Sequence, residues 1–225
     1  MSPLGLILSC FPTLILCLST VAFIYLCAHP SIFSLASLLL VVYGLPPLMY
    51  HLHHQFYPVE EGISYLRSKD YSAWWGTHQI QVIYIAVPVL EALLRLVPGL
   101  FSLWLRLWGA KIGQNVYWTP GLEIADRGLL EVGDRVVFGH RTGLYAHVIK
   151  PSKNNLMLYV KKISIGSDVF IGAGAVLGPG AKIEQCVYIP AKSQLYPNQN
   201  VRSCDGSFKA SDNCLPPLPN VSTER

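Results

Sequence analysis

From Ile165 onward a bulky aliphatic residue returns at every sixth position: Ile165, Ile171, Leu177, Ile183, Ile189 and Leu195. The stretch reads IGSDVF, IGAGAV, LGPGAK, IEQCVY, IPAKSQ, LYPNQN. A helix repeats near 3.6 residues and a strand at 2, and neither period yields six. A short strand plus a turn does, when three such units close one coil of a solenoid. The aliphatic side chain then points inward. The fifth residue of the first five hexads (Val169, Ala175, Ala181, Val187, Ser193) is small or β-branched and fits the corner. Gly166, Gly172 and Gly178 are expected to supply turn conformations that a Cβ would strain.

The same phase recurs upstream with two interruptions. Ile112, Trp118 and Ile124 are six apart, as are Val132, Phe138 and Leu144. The step from 124 to 132 holds two extra residues, and the step from 144 to 165 holds fifteen, a loop containing Pro151, Ser152, Lys153, Asn154 and Asn155. Twelve faces predict four coils of three, stacked at about 4.8 Å, the spacing of paired strands. So short a column exposes its ends, which favours oligomerisation.

The other half of the chain is of a different kind. Hydrophobic residues make up 52% of the 225 and charged residues 13%, about half the usual charged share. That excludes disorder of the whole chain. A net charge of +4, with no basic run interleaved with aromatics, is too weak to argue for nucleic acid as a partner. Six cysteines without a CxxC pair form neither a disulfide framework nor a zinc knuckle. Residues 1–55 contain no Asp, Glu, Lys or Arg. Apolar runs at 4–27 and 33–50 are long enough to cross a bilayer as a hairpin. The first run lacks the basic start of a signal peptide. All Lys and Arg follow the second, so the positive-inside rule places the rest of the chain on the cytoplasmic face of the cell membrane. His51, His53 and His54 read as a polar collar at a helix end rather than a metal cluster. Over 80–108 the polar residues Glu91, Arg95, Ser102 and Arg106 fall on one stripe, predicting an amphipathic helix in the membrane surface, interrupted at Pro98-Gly99, with a third crossing as the alternative. The resulting domains are 1–52 (transmembrane hairpin), 53–109 (linker and interfacial helix), 110–202 (repeat domain) and 203–225 (flexible tail).

The IG-x-x-V and LG-P-G-A units over about 110–200 resemble the hexapeptide-repeat transferases, which fold as a left-handed parallel β-helix. GAKIGQNVYWTP followed by IADRGLLEVGDRVVFGH is similar to the membrane-associated branch, in which apolar helices precede the β-helix. The resemblance implies a homotrimer with sites between neighbouring prisms, beside a protruding loop. It also implies transfer of an acyl group from a coenzyme A or carrier-protein thioester to a hydroxyl or amine. Acetyl-CoA or acyl-CoA would be a co-substrate, with no permanently bound cofactor and no metal.

Such chemistry needs a base for the acceptor hydroxyl, and neutral imidazole serves. The repeat domain offers two, His140 in FGHRTG and His147 in LYAHVI. His147 precedes the fifteen-residue excess and matches the resemblance better. Asp126, one coil earlier, is the candidate orienting carboxylate, with Glu123 and Glu131 as others nearby. Tyr145, Lys150, Asn154 and Asn155 flank the loop as candidate acceptor contacts. By the resemblance, the backbone of Ala173 and Gly174 would line the pantetheine channel, and Lys182, Lys192 and Arg202 would meet coenzyme A phosphates. The membrane half predicts a lipid-linked or carbohydrate acceptor. Two other classes remain open from sequence: a non-catalytic trimeric membrane scaffold, and a zinc hydratase built from three imidazoles.

Overall fold

The structure is a computed structural model and describes residues 2–66, 70–152 and 155–202. The tail assigned to 203–225 and the candidate Asn154 lie outside the described residues.

Two helical rods open the chain. Helix α1 (Pro3–Ser9) runs through a bend at Cys10 into α2 (Phe11–Ala28). Helix α3 (Ile32–Leu39), capped by Ser31, continues through a π-helical turn at Leu40–Gly44 into α4 (Leu45–Phe56). The rods Pro3–Ala28 and Ile32–Phe56, of 26 and 25 residues, are long and apolar enough to cross a membrane. The π-turn has a local cause. Pro46 and Pro47 have no N–H to return to the carbonyls four residues earlier, and the Tyr84 hydroxyl donates to the stranded Val42 carbonyl.

The surface helix expected over 80–108 is three helices instead. Helix α5 (Ala73–Ala86) starts at a Ser72 cap and meets α6 (Val89–Arg95) at a 76° bend before Pro88–Val89. Helix α7 (Leu100–Leu107) follows Gly99, whose φ of +78° stops the chain from continuing straight. Most of the polar stripe does not face water, and Arg106 alone of the four is exposed. Glu91 and Ser102 are buried against the repeat domain, while Val89, Leu93, Leu96, Leu103 and Leu107 are exposed. Glu91 and Ser102 turn inward because their partners lie there: Arg127 for Glu91 and the Trp118 indole for Ser102. The three histidines also find local partners. His51 meets the Leu107 carbonyl, His53 the Tyr71 hydroxyl, and His54 stacks on Tyr50.

Before α5, strand β1 (Gly62–Tyr65) stands apart. From Lys111 the chain winds as a three-walled parallel prism. The first circuits use β2 (Lys111–Ile112), β3 (Tyr117–Trp118), β4 (Glu123–Ile124), β5 (Leu130–Val132), β6 (Val137–Phe138) and β7 (Gly143–Leu144). A hairpin comes next, β8 (His147–Ser152) and β9 (Asn155–Val160). Winding then resumes with β10 (Ile163–Ile165), β11 (Phe170–Ile171), β12 (Val176–Leu177), β13 (Lys182–Ile183), β14 (Tyr188–Ile189), β15 (Gln194–Leu195) and β16 (Asn200–Val201). One wall orders β16-β13-β10-β5-β2, the second β14-β11-β6-β3 and the third β15-β12-β7-β4.

Register obeys the ladder read from sequence. Ile112, Val132, Ile165 and Ile183 align on one wall, Trp118, Phe138, Ile171 and Ile189 on the next, and Ile124, Leu144, Leu177 and Leu195 on the third. All twelve are buried and form the prism core. The glycine expectation needs correction. Positive φ falls on the fourth hexad position instead, at Asp168, Gly174, Gly180, Cys186, Lys192 and Asn198. Gly166 and Gly172 answer to the next coil, because a Cβ there would stand 2.6 and 2.3 Å from the backbone nitrogens of Gln185 and Ala191.

Both insertions have structure. The two extra residues after Ile124 allow a 3-10 turn, Arg127–Leu129. The fifteen-residue excess is not an irregular loop: β8 and β9 pair antiparallel, and β1 adds to the far edge of β9.

Candidate active site

Asp126 and His147 come from the two interruptions of the ladder. Asp126 sits immediately before the 3-10 turn, and His147 is the first residue of the extruded hairpin, paired with Val160. The prism stacks these points one coil apart, and His147 Nδ1 lies 2.6 Å from Asp126 Oδ2. The carboxylate is 2% exposed and the imidazole side chain 17%. A buried carboxylate accepts, so it holds the proton on Nδ1 and leaves Nε2 as the basic nitrogen.

The second carboxylate oxygen is occupied from the helical half. Trp74 Nε1 donates to Asp126 Oδ1 at 2.9 Å. The Trp74 ring lies 4.4 Å from the His147 ring, and His78, one turn further along α5, stacks on Trp74 and approaches His147 to 5.6 Å between centroids. Sequence reasoning misses both Trp74 and His78. Trp74-Trp75 at a helix start carries no period pointing to residue 126, so only the fold reveals the contact.

The next residue binds the same helices. Arg127 is fully buried; its backbone N–H donates to Gln81 Oε1 and its Nε to Glu91 Oε1 at 2.7 Å. Arg95 reaches the other oxygen of Glu91 at 3.0 Å. Asp126 and Arg127 thus pin α5 to the prism through Trp74 and Gln81, and α6 through the Arg127–Glu91 ion pair.

The remaining candidates divide between places. Tyr145, on the third wall beside Gly143, lies two residues before His147. Its phenol is pushed above its ordinary value, first by burial and then by the Glu123 carboxylate. Lys150 is exposed on β8 opposite Met157, and Asn155 closes the hairpin opposite Ser152. His140 is exposed at another corner, where Gly174 N–H donates to the His140 carbonyl and Lys192 N–H to that of Ala173. The structure therefore groups His140 with Ala173, Gly174 and Lys192, and His147 with Asp126. Lys182 stands on the first wall, paired with Ser164. Among the described residues no three His, Cys, Asp or Glu side chains gather to hold a metal ion.

Solved structures similar to this chain are hexapeptide-repeat acetyltransferases. A maltose O-acetyltransferase from Clostridium difficile 630 matches at 18% identity and a TM-score of 0.35, over 53% of this chain and 81% of that one. A hexapeptide-repeat-containing acetyltransferase from Vibrio cholerae matches at 17% and 0.35, over 53% and 86%. A galactoside acetyltransferase in complex with coenzyme A matches at 16% and 0.32, over 51% and 75%. No protein-family model and no curated protein matches the sequence.

Proposed function

We propose that this chain is a membrane-anchored O-acyltransferase that moves an acetyl or longer acyl group from a coenzyme A thioester to a hydroxyl of a lipid-linked or glycan acceptor. The observation that carries the reading is the imidazole of His147, oriented by a buried carboxylate whose other oxygen is already taken by Trp74. Its Nε2 removes the acceptor's hydroxyl proton as that oxygen attacks the thioester carbonyl. The tetrahedral intermediate collapses with cleavage of the C–S bond. The imidazolium then returns the proton to the leaving thiolate, giving an ester and free coenzyme A. Asp126 holds the tautomer and offsets the imidazolium charge.

The rods at 3–28 and 32–56 would place this site at a bilayer, and α5 would bring Trp74 to the base from that side. In this reading residues 1–52 anchor, 53–109 join, and 110–202 are a left-handed, four-coil catalytic prism that assembles as a homotrimer on the cytoplasmic face. The corner of His140, Ala173, Gly174 and Lys192 would receive the donor, with Tyr145, Lys150 and Asn155 near the acceptor.

Mass spectrometry of membrane lipids and glycans, with and without the gene, tests this directly. A species lighter by one acyl group in the deletion strain, restored by wild type and not by His147→Ala, is the expected result. Full restoration by His147→Ala overturns the enzyme reading in favour of a scaffold.

A further inference from the structure

An open cavity of about 630 Å³ lies between the α6–α7 corner and the first prism circuit, away from His147. Among the described residues its charged lining consists of Arg95 and Arg106, with Ser102, Gln114, Asn115 and Tyr117 as polar groups and no carboxylate. The Arg95 side chain is 7% exposed. One of its terminal nitrogens reaches both Glu91 and the Leu122 carbonyl, while its buried Nε has no hydrogen-bond partner among the described residues. Glu91 is shared with the fully buried Arg127, so two buried cations divide one anion. Arg106 donates to the carbonyls of Ile112 and Gly113, and both are neutral. The Arg95 guanidinium also lies 4.3 Å over the Phe101 ring, yet two guanidiniums and no carboxylate line the cavity, and that excess of positive charge favours an anion.

The surroundings say what carries the anion. Val97 lines the cavity, and the α6–α7 segment that walls it also carries the exposed Leu93, Leu96 (77% exposed), Leu103 and Leu107. Exposed apolar side chains on helices that come after two membrane-length rods offer a surface for acyl chains. We propose that this cavity holds the phosphate of an anionic membrane lipid, with the Arg95 and Arg106 guanidiniums as its donors and the exposed leucines against its tails. Guanidinium suits the role because it presents several donors in a plane to phosphate oxygens. The proposal is independent of acyl transfer.

The test uses the full chain in an uncharged detergent, with native mass spectrometry counting bound dioleoylphosphatidylglycerol, dioleoylphosphatidylcholine or inorganic phosphate. Wild type is expected to bind the phosphatidylglycerol at least tenfold tighter than the phosphatidylcholine. Arg106→Gln, at an exposed position, should lose that preference while still unfolding cooperatively within a few degrees of wild type without lipid; Arg95→Lys should weaken it too. Equal binding of the two lipids, or an undiminished preference in Arg106→Gln, overturns the proposal. Displacement of the lipid by millimolar inorganic phosphate overturns the lipid assignment in favour of a soluble anion.

Discussion

Replacing Asp126 by asparagine exchanges one oxygen for an NH2 group, and the neighbouring side chains dictate the outcome. The Trp74 indole can only donate, so the new side chain must keep its carbonyl oxygen toward Nε1, where Oδ1 now accepts at 2.9 Å. Its NH2 group then faces His147 Nδ1, where a carboxylate oxygen now lies at 2.6 Å. Two donors cannot face each other, so the ring takes the other tautomer, with the proton on Nε2 and no base toward the acceptor. Recovering the active tautomer leaves two buried donors unpaired, at about 1–3 kcal/mol each. A total of about 2–6 kcal/mol corresponds to roughly 30- to 25,000-fold in kcat/KM.

The same geometry predicts a rescue. Trp74→Phe removes the indole donor and keeps a ring beside His147. In Asp126→Asn/Trp74→Phe the amide is free to rotate, its oxygen accepts from Nδ1 and the basic tautomer returns. The double variant should therefore be faster than Asp126→Asn alone, a strongly non-additive cycle. Thiol release from acetyl-CoA, driven by extracted membrane lipid, reports the rate, and 15N shifts of the His147 ring report the tautomer. A double variant slowed by the product of the two single effects, or a wild-type rate in Asp126→Asn, refutes the reasoning.

His147→Ala should cost at least about a hundredfold in the same assay, whereas His140→Ala should leave the His147 tautomer signals unchanged, because it stands at another corner. Glu91→Ala strands Arg95 and Arg127 without their shared carboxylate and should destabilise by about 3–5 kcal/mol, read as thermal unfolding in detergent. Gly172→Ala puts a methyl 2.3 Å from Ala191 N and should lower the melting temperature by forcing two coils apart, at about 1–3 kcal/mol. The Arg135 guanidinium holds the Asp168 carboxyl below the ordinary aspartate range. The pair's stabilisation is thus full above that range and lost as pH falls through the lowered folded value. Arg135→Gln should flatten that acid limb of the stability profile.

Much of the prism was legible because its signal is local and repeated. Ile112, Trp118 and Phe138 occupy the same kind of wall position as Leu177 because a fixed hexad sets their spacing. The pairing of Asp126 with His147 comes from the same arithmetic, since stacking brings residues one coil apart side by side. The illegible part depends on contacts between segments with no shared period. Gly62–Tyr65 looks like any short exposed stretch, and only β9 makes it a strand. The stripe of Glu91, Arg95, Ser102 and Arg106 was correctly polar, but a pattern on one helix cannot say whether water or Arg127 faces it.

The two-residue insertion after Ile124 joins these halves. It places Asp126 against Trp74 and Arg127 against Gln81 and Glu91 in adjacent steps of the chain. The packing of the helical half and the geometry of the candidate base are thereby one structure. Cutting the chain at residue 108 would remove Trp74, Gln81 and Glu91 together, exposing the Asp126 carboxylate and leaving the Arg127 guanidinium without its ion pair. A truncated prism that acylates slowly would then report a disordered Asp126 as readily as a missing membrane. Glu91→Gln in the full chain separates the two. It neutralises the clamp while both rods remain, so a site that depends on the clamp should show altered His147 ring shifts with the protein still in the membrane fraction. Unchanged ring shifts in that variant would mean that Trp74 alone suffices to fix the carboxylate.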